Sequence, residues 1–198
     1  MNILVLGPQG SGKGTQAQRI HAMYGVPHIA TGDTIREIRE LPTPVGREVK
    51  AVYDRGDLVS DDLMIRLIRH RLSRGDTLGG FVLDGFPRTM PQAEALDGLL
   101  RELGRDLDVV FDFKVPDREV LLQRLLGRAA AEGRSDDTPE AIERRLELYD
   151  RETAPLVEYY RSHQANVVGV HADRTVDEVF REIEDALAES QRHRKVNA

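Results

Sequence analysis

Cysteine is absent from the 198 residues, which excludes disulfides and any site built on thiolate ligands. No stretch approaches the ~18 consecutive apolar residues that a membrane span needs. The first apolar run, Ile3-Leu4-Val5-Leu6, passes at once into glycine-rich sequence; it is too short for a secretory leader and has no basic lead-in. Cations are also in the minority, 28 Lys and Arg against 34 Asp and Glu, for a formal net charge of −6. A general nucleic-acid binder would be basic, although a few Arg and Lys can still gather in one cleft of an acidic protein. The expectation is a soluble, cytoplasmic, monomeric protein with small-molecule partners, no nucleic acid and no membrane. What is present is ordinary for a globular chain: 40% hydrophobic and 31% charged residues, and enough length for one domain with small appendages.

Short apolar runs at Ile3–Leu6, Phe81–Leu83, Val109–Phe113 and Val167–Val170 read as buried strands, with a fifth at Pro27–Ala30. Helical patterns separate them. Thr175-Val176-Asp177-Glu178 is a capping box, followed by Val179, Phe180, Ile183 and Leu187 at helical spacing. Thr138-Pro139 supplies an N-cap and a first-turn proline for a helix carrying Ile142, Leu146 and Tyr149; Asp117 caps another with Val120, Leu121 and Leu125. Near-continuous apolar strands alternating with helices predict an α/β fold, a five-stranded parallel sheet covered on both faces. Residues 31–59 are helical in pattern without a strand and read as an insertion, residues 129–137 as a small flap, and the polar tail from Gln191 as frayed.

Gly7-Pro8-Gln9-Gly10-Ser11-Gly12-Lys13-Gly14-Thr15 lies between the first strand and a helix. Glycines let the backbone curl around an anion with N–H groups pointing inward. The helix adds its positive end and Lys13 a mobile full charge, which identifies a phosphate-binding loop of the P-loop NTPase type. Gly10, Ser11, Gly12, Lys13, Gly14 and Thr15 are the candidate ATP contacts. The general pattern puts Ser or Thr directly after the lysine; here Gly14 holds that place and the hydroxyl follows at Thr15. The Gly-Lys-Gly-Thr form resembles the loop of nucleoside monophosphate kinases.

With the loop aligned, His28-Ile29-Ala30-Thr31-Gly32-Asp33-Thr34-Ile35-Arg36 resembles the start of the AMP-binding segment of adenylate kinases. Asp84-Gly85-Phe86-Pro87-Arg88 resembles that family's signature, with Gln92 at the matching distance. Arg124-Leu125-Leu126-Gly127-Arg128, Arg134-Ser135-Asp136-Asp137 and Arg145 resemble the two sides of a lid. The resemblance spans residues 2 to about 180. It implies a core of residues 1–30, 60–128 and 138–198, an AMP-binding insertion at 31–59 and a short lid at 129–137. It also implies the reaction ATP + AMP = 2 ADP.

The roles that the resemblance implies fit the chemistry of the side chains. Asp84 ends an apolar strand, where α/β sheets place ligands, and would hold Mg²⁺ through water. Arg36 and Arg88 would fork onto the AMP phosphate. Arg124, Arg128, Arg134 and Arg145 would close over the transferring group, Arg134 and Arg145 reaching the AMP side as well. Thr31 and Gln92 would select the acceptor base, with Asp57, Leu58, Val59 and the segment Gly85, Phe86, Pro87 lining its pocket. Arg174 would pack near the ATP adenine, and the short, cysteine-free lid implies no zinc. Helical geometry adds an independent point: at about 100° per residue Arg145 falls beside the stripe of Ile142, Leu146 and Tyr149, whereas Arg144 faces away. The alternatives are a UMP- or CMP-directed kinase of the same fold, against which Gln92 and Thr31 count, and a non-catalytic nucleotide-binding regulator. The regulator would carry a guanine-reading Asn/Thr-Lys-x-Asp sequence, which is absent.

Overall fold

The computed structural model describes residues 1–133, 137–163 and 165–197. Among these, the strands β1 (Asn2–Leu6), β2 (His28–Ala30), β3 (Phe81–Asp84), β4 (Val109–Lys114) and β5 (Val167–His171) form one parallel sheet in the order β2-β3-β1-β4-β5. The helices are α1 (Lys13–Tyr24), α2 (Thr31–Arg39), α3 (Pro44–Asp54), α4 (Asp61–Leu72), α5 (Met90–Glu102), α6 (Arg118–Glu132), α7 (Pro139–Leu148), α8 (Leu156–Ser162) and α9 (Val176–Asn197).

The central strands β1, β3 and β4 are buried on both faces, whereas the edge strands β2 and β5 are mostly half-buried. Leu4, Leu6, Phe81, Leu83 and Val110 point into a layer with α4, α5 and α8, where Ile68, Leu96 and Tyr160 meet them. Ile3, Val5, Val82, Val109 and Phe111 point the opposite way, against Ala17 and Ile20 of α1 and Phe180, Ile183 and Leu187 of α9. Full burial of such a side chain stabilises by about 1.5–3 kcal/mol. A third cluster, Leu121, Leu125, Ile142 and Leu146, joins α6 to α7.

The caps form as their residues predict. Thr175 N donates to Glu178 Oε2 (3.0 Å) and Glu178 N to Thr175 Oγ1 (3.4 Å). Thr138 Oγ1 accepts from Ala141 N at 3.2 Å, and Asp117 Oδ1 from Glu119 N at 2.9 Å. Two stretches differ from expectation. Residues 129–132 are the last turn of α6, which ends at Gly133 in the left-handed region. The polar tail does not fray at Gln191: α9 continues to Asn197, since elongating a formed helix adds a bond for each residue fixed.

Candidate active site

β1 occupies the sheet centre with β3 on one side and β4 on the other, so the chain leaving its carboxyl end enters a crevice where the strand order reverses. The Gly7–Thr15 loop turns there into α1. Gly10 must be glycine: its φ is 81°, and a Cβ would stand 3.0 Å from the Leu121 carbonyl oxygen of α6. Lys13 opens α1 and folds its Nζ back to donate to Pro8 O at 3.2 Å. Burial lowers the Lys13 pKa; the Asp84 carboxylate opposes this, and the cations Arg88 and Arg128 add to it. Gly14 brings the helix backbone close to the acid, since a Cβ there would lie 3.3 Å from Asp84 Oδ2.

Asp84 stands at the end of β3 with His28 Nε2 of β2 at 3.5 Å. Burial alone would raise its pKa. The His28 contact and the charges of Lys13, His28 and Arg88 outweigh that and hold it below the ordinary 3.8. A depressed carboxyl pKa stabilises the fold fully above the unfolded value and less as pH falls through the folded one. Asp84→Asn should therefore flatten the acid limb: its urea midpoint falls less between pH 5 and pH 3 than that of the wild type. Parallel losses in both proteins would contradict this account of Asp84.

Beyond Asp84 the chain turns through Gly85, whose Cβ would lie 2.5 Å from Thr31 Oγ1. Arg88 Nε donates back to Gly85 O at 2.8 Å. Burial, with Arg145 and Arg36 nearby, lowers the Arg88 pKa, and the guanidinium is still a cation at neutral pH. Arg36 of α2 bonds Asp33 and the Tyr53 hydroxyl, the latter at 3.1 Å. On the far wall Arg124 Nη1 donates to Ala172 O at 2.9 Å. Arg128 and Arg145 share one carboxylate: Asp137 Oδ2 accepts from Arg128 Nη2 at 2.7 Å and its Oδ1 from Arg145 Nη1 at 2.6 Å. The Asp137 side chain is fully buried, and the Arg145 guanidinium also lies 4.7 Å over the Tyr53 ring.

These groups line one cleft of about 480 Å³ that runs from Gly10, Lys13 and Thr15 past Asp84 to Arg36, Arg88, Arg124, Arg128 and Arg145. A narrower recess opens beside it, lined by Thr31, Asp57, Leu58, Val59, Arg88 and Gln92. Arg145 is turned inward, as helical periodicity predicts, and is 7% exposed. The Arg144 side chain is 44% exposed and reaches outward to Asp57 at 3.0 Å.

Other expected site residues fall elsewhere. Phe86 is a core side chain packed with the α4–α5 layer, and Arg174 is exposed, with Nη1 3.8 Å from Glu182, outside the cleft lining. Pro87 sits with Lys13, Arg88 and Arg145 in an adjoining small cavity. Arg134 lies outside the described residues. Asp137 as common counter-ion, Tyr53 under the arginines and His28 beside Asp84 had no assigned role on sequence grounds.

Among the described residues no group of three or more His, Cys, Asp or Glu could hold a metal, and no helix is long and apolar enough to cross a membrane. The chain matches the adenylate kinase family model over residues 5–165. It is 46% identical over 187 residues to an adenylate kinase of Xylella fastidiosa (strain 9a5c), covering 94% of this chain and 99% of that protein. An adenylate kinase of Xanthomonas campestris pv. campestris (strain B100) is 45% identical over 189 residues, with the same coverage.

Proposed function

The chain belongs to the adenylate kinase family, and from that premise we propose how its own residues perform the family's phosphoryl transfer, ATP + AMP = 2 ADP. The observation that carries the reading is the single cleft in which a phosphate loop with Lys13 faces Arg36 and Arg88 across Asp84. The loop N–H groups, the α1 terminus and Lys13 hold the ATP phosphates. Arg36 and Arg88 fork onto the AMP phosphate and aim its oxygen in line at the γ-phosphorus. No general base is needed, because that oxygen is already ionised.

Phosphoryl transfer gains from positioning and charge neutralisation more than from covalent chemistry. Asp137 keeps Arg128 and Arg145 side by side despite their like charge. Arg124, Arg128, Arg145 and, from the lid, Arg134 spread positive charge over the transferring group. Asp84 suits Mg²⁺, which takes one or two carboxylates beside water and substrate phosphates; it is held ionised at the cleft floor. The ion supplies neutralisation of phosphate charge when bound. Residues 31–59 and 129–137 serve as an acceptor-side cover and a lid that exclude water on closing. The reading is of a monomeric cytoplasmic enzyme acting on small nucleotides.

Mg²⁺-dependent ADP formation from ATP, with AMP, CMP, UMP and GMP offered separately, tests the reading. Turnover with AMP and little with the others is expected. A pyrimidine preference would overturn the acceptor assignment, and no turnover from folded, ATP-binding protein would overturn the reaction.

A further inference from the structure

The side-chain amide of Gln92 is held at both ends before any ligand arrives. Its Oε1 accepts from the Arg88 backbone N–H at 2.8 Å, and its Nε2 donates to Asp61 Oδ1 at 2.7 Å. The same Asp61 oxygen accepts the Thr89 hydroxyl at 2.9 Å. A backbone N–H can only donate and an ionised carboxylate can only accept, so the amide has one permitted orientation. Turning it over would set its NH₂ against an N–H and its carbonyl oxygen against a carboxylate. Gln92 is 2% exposed and lines the narrow recess, whereas Asp61, the first residue of α4, stands outside that lining. One Nε2 hydrogen and one Oε1 lone pair remain uncommitted.

We propose that Asp61 is a specificity-determining positioning residue, which locks the Gln92 amide in the orientation that accepts an aminopurine and refuses an oxopurine. The inference rests on the acceptor reading above. Adenine presents an accepting ring nitrogen beside a donating amino group, and an amide can meet both with its NH₂ and its oxygen. Hypoxanthine presents the reverse, a donating N–H beside an accepting oxygen, and can be met only by the amide turned over. The lock makes that turn costly, so the wrong base leaves buried polar groups unpaired, the condition under which binding sites discriminate most strongly. Asp61 thereby acts on a base it does not touch.

Asp61→Asn tests this, because an asparagine of the same shape can accept from Gln92 or donate to it. With ATP as donor, the preference for AMP over IMP, as a ratio of kcat/KM values, should shrink about tenfold. The KM for ATP should stay unchanged. Asp61→Glu, still acceptor-only, should keep most of the preference. Asp62→Asn removes a charge from the same first turn of α4, where the side chain is exposed and pairs with Arg66, and should leave the ratio alone. In a Gln92→Leu background, Asp61→Asn should have no further effect on the ratio.

An undiminished ratio in Asp61→Asn, an equal shift in Asp62→Asn, or a further shift in the Gln92→Leu background would overturn the proposal. Failure of the wild type to use AMP would instead sink the acceptor reading, so the two failures are distinguishable.

Discussion

Replacing Lys13 with methionine is expected to lower kcat by about 10³-fold or more while the protein stays folded. The ammonium at the head of α1 is the mobile cation of the phosphate loop, and among the described residues its hydrogen bond goes to the Pro8 carbonyl of that loop. Burial already lowers the Lys13 pKa, so the fold gains little from carrying the charge where it sits. Methionine matches the stem in length and adds no buried polar atom. Asp84 would lose one stabilising charge but keep His28 and Arg88. Transfer loses a full charge at the point where negative charge moves between phosphates, and no other cation opens α1. The measurement is kcat for ADP formation beside the thermal midpoint. A drop in rate with a midpoint within a few degrees of wild type is expected, and near-normal turnover would overturn the role given to Lys13.

The features readable from sequence were those that local rules determine. The β1 and β3 runs are apolar because parallel strands are covered on both faces, and the phosphate loop announces itself because an anion cradle needs glycines and a lysine in fixed order. Arg145 could be turned inward from helical periodicity alone, since Ile142 and Leu146 fix the buried side of α7. Contacts joining distant segments left no such trace. Tyr53 supports an arginine 92 residues away, and Gln92 is braced by Asp61 31 residues earlier. Neither pairing has a spacing rule. Asp137 looks from sequence like one more acid in a charged stretch; only the packing of α6 on α7 brings Arg128 and Arg145 to its two oxygens. Phe86 is the converse case. It belongs to a signature that resembles a binding motif, and its aromatic ring is buried in the core.

Arg88 carries the other large expected effect. Arg88→Met should lower kcat/KM for AMP by about 10³-fold, with ATP binding retained, because the guanidinium is the acceptor-side cation closest in sequence to Asp84 and is tied to the same turn by its Nε–Gly85 bond. Arg88→Lys separates charge from shape. Lysine restores the charge but neither the planar fork nor the Nε–H that fixes its direction, so it should recover only a small part of the loss. Binding of a fluorescent ATP analogue and the KM for ATP report on the donor half, which Arg88 does not hold. If Arg88→Lys matched the wild type, the site would need only positive charge at this point, and in-line aiming by the guanidinium fork would be wrong. If Arg88→Met weakened ATP binding as strongly as AMP use, the donor and acceptor halves would not divide at Asp84. The expected split is a normal donor constant with a collapsed acceptor constant, because the loop and Lys13 hold one phosphate chain while Arg36 and Arg88 present the other.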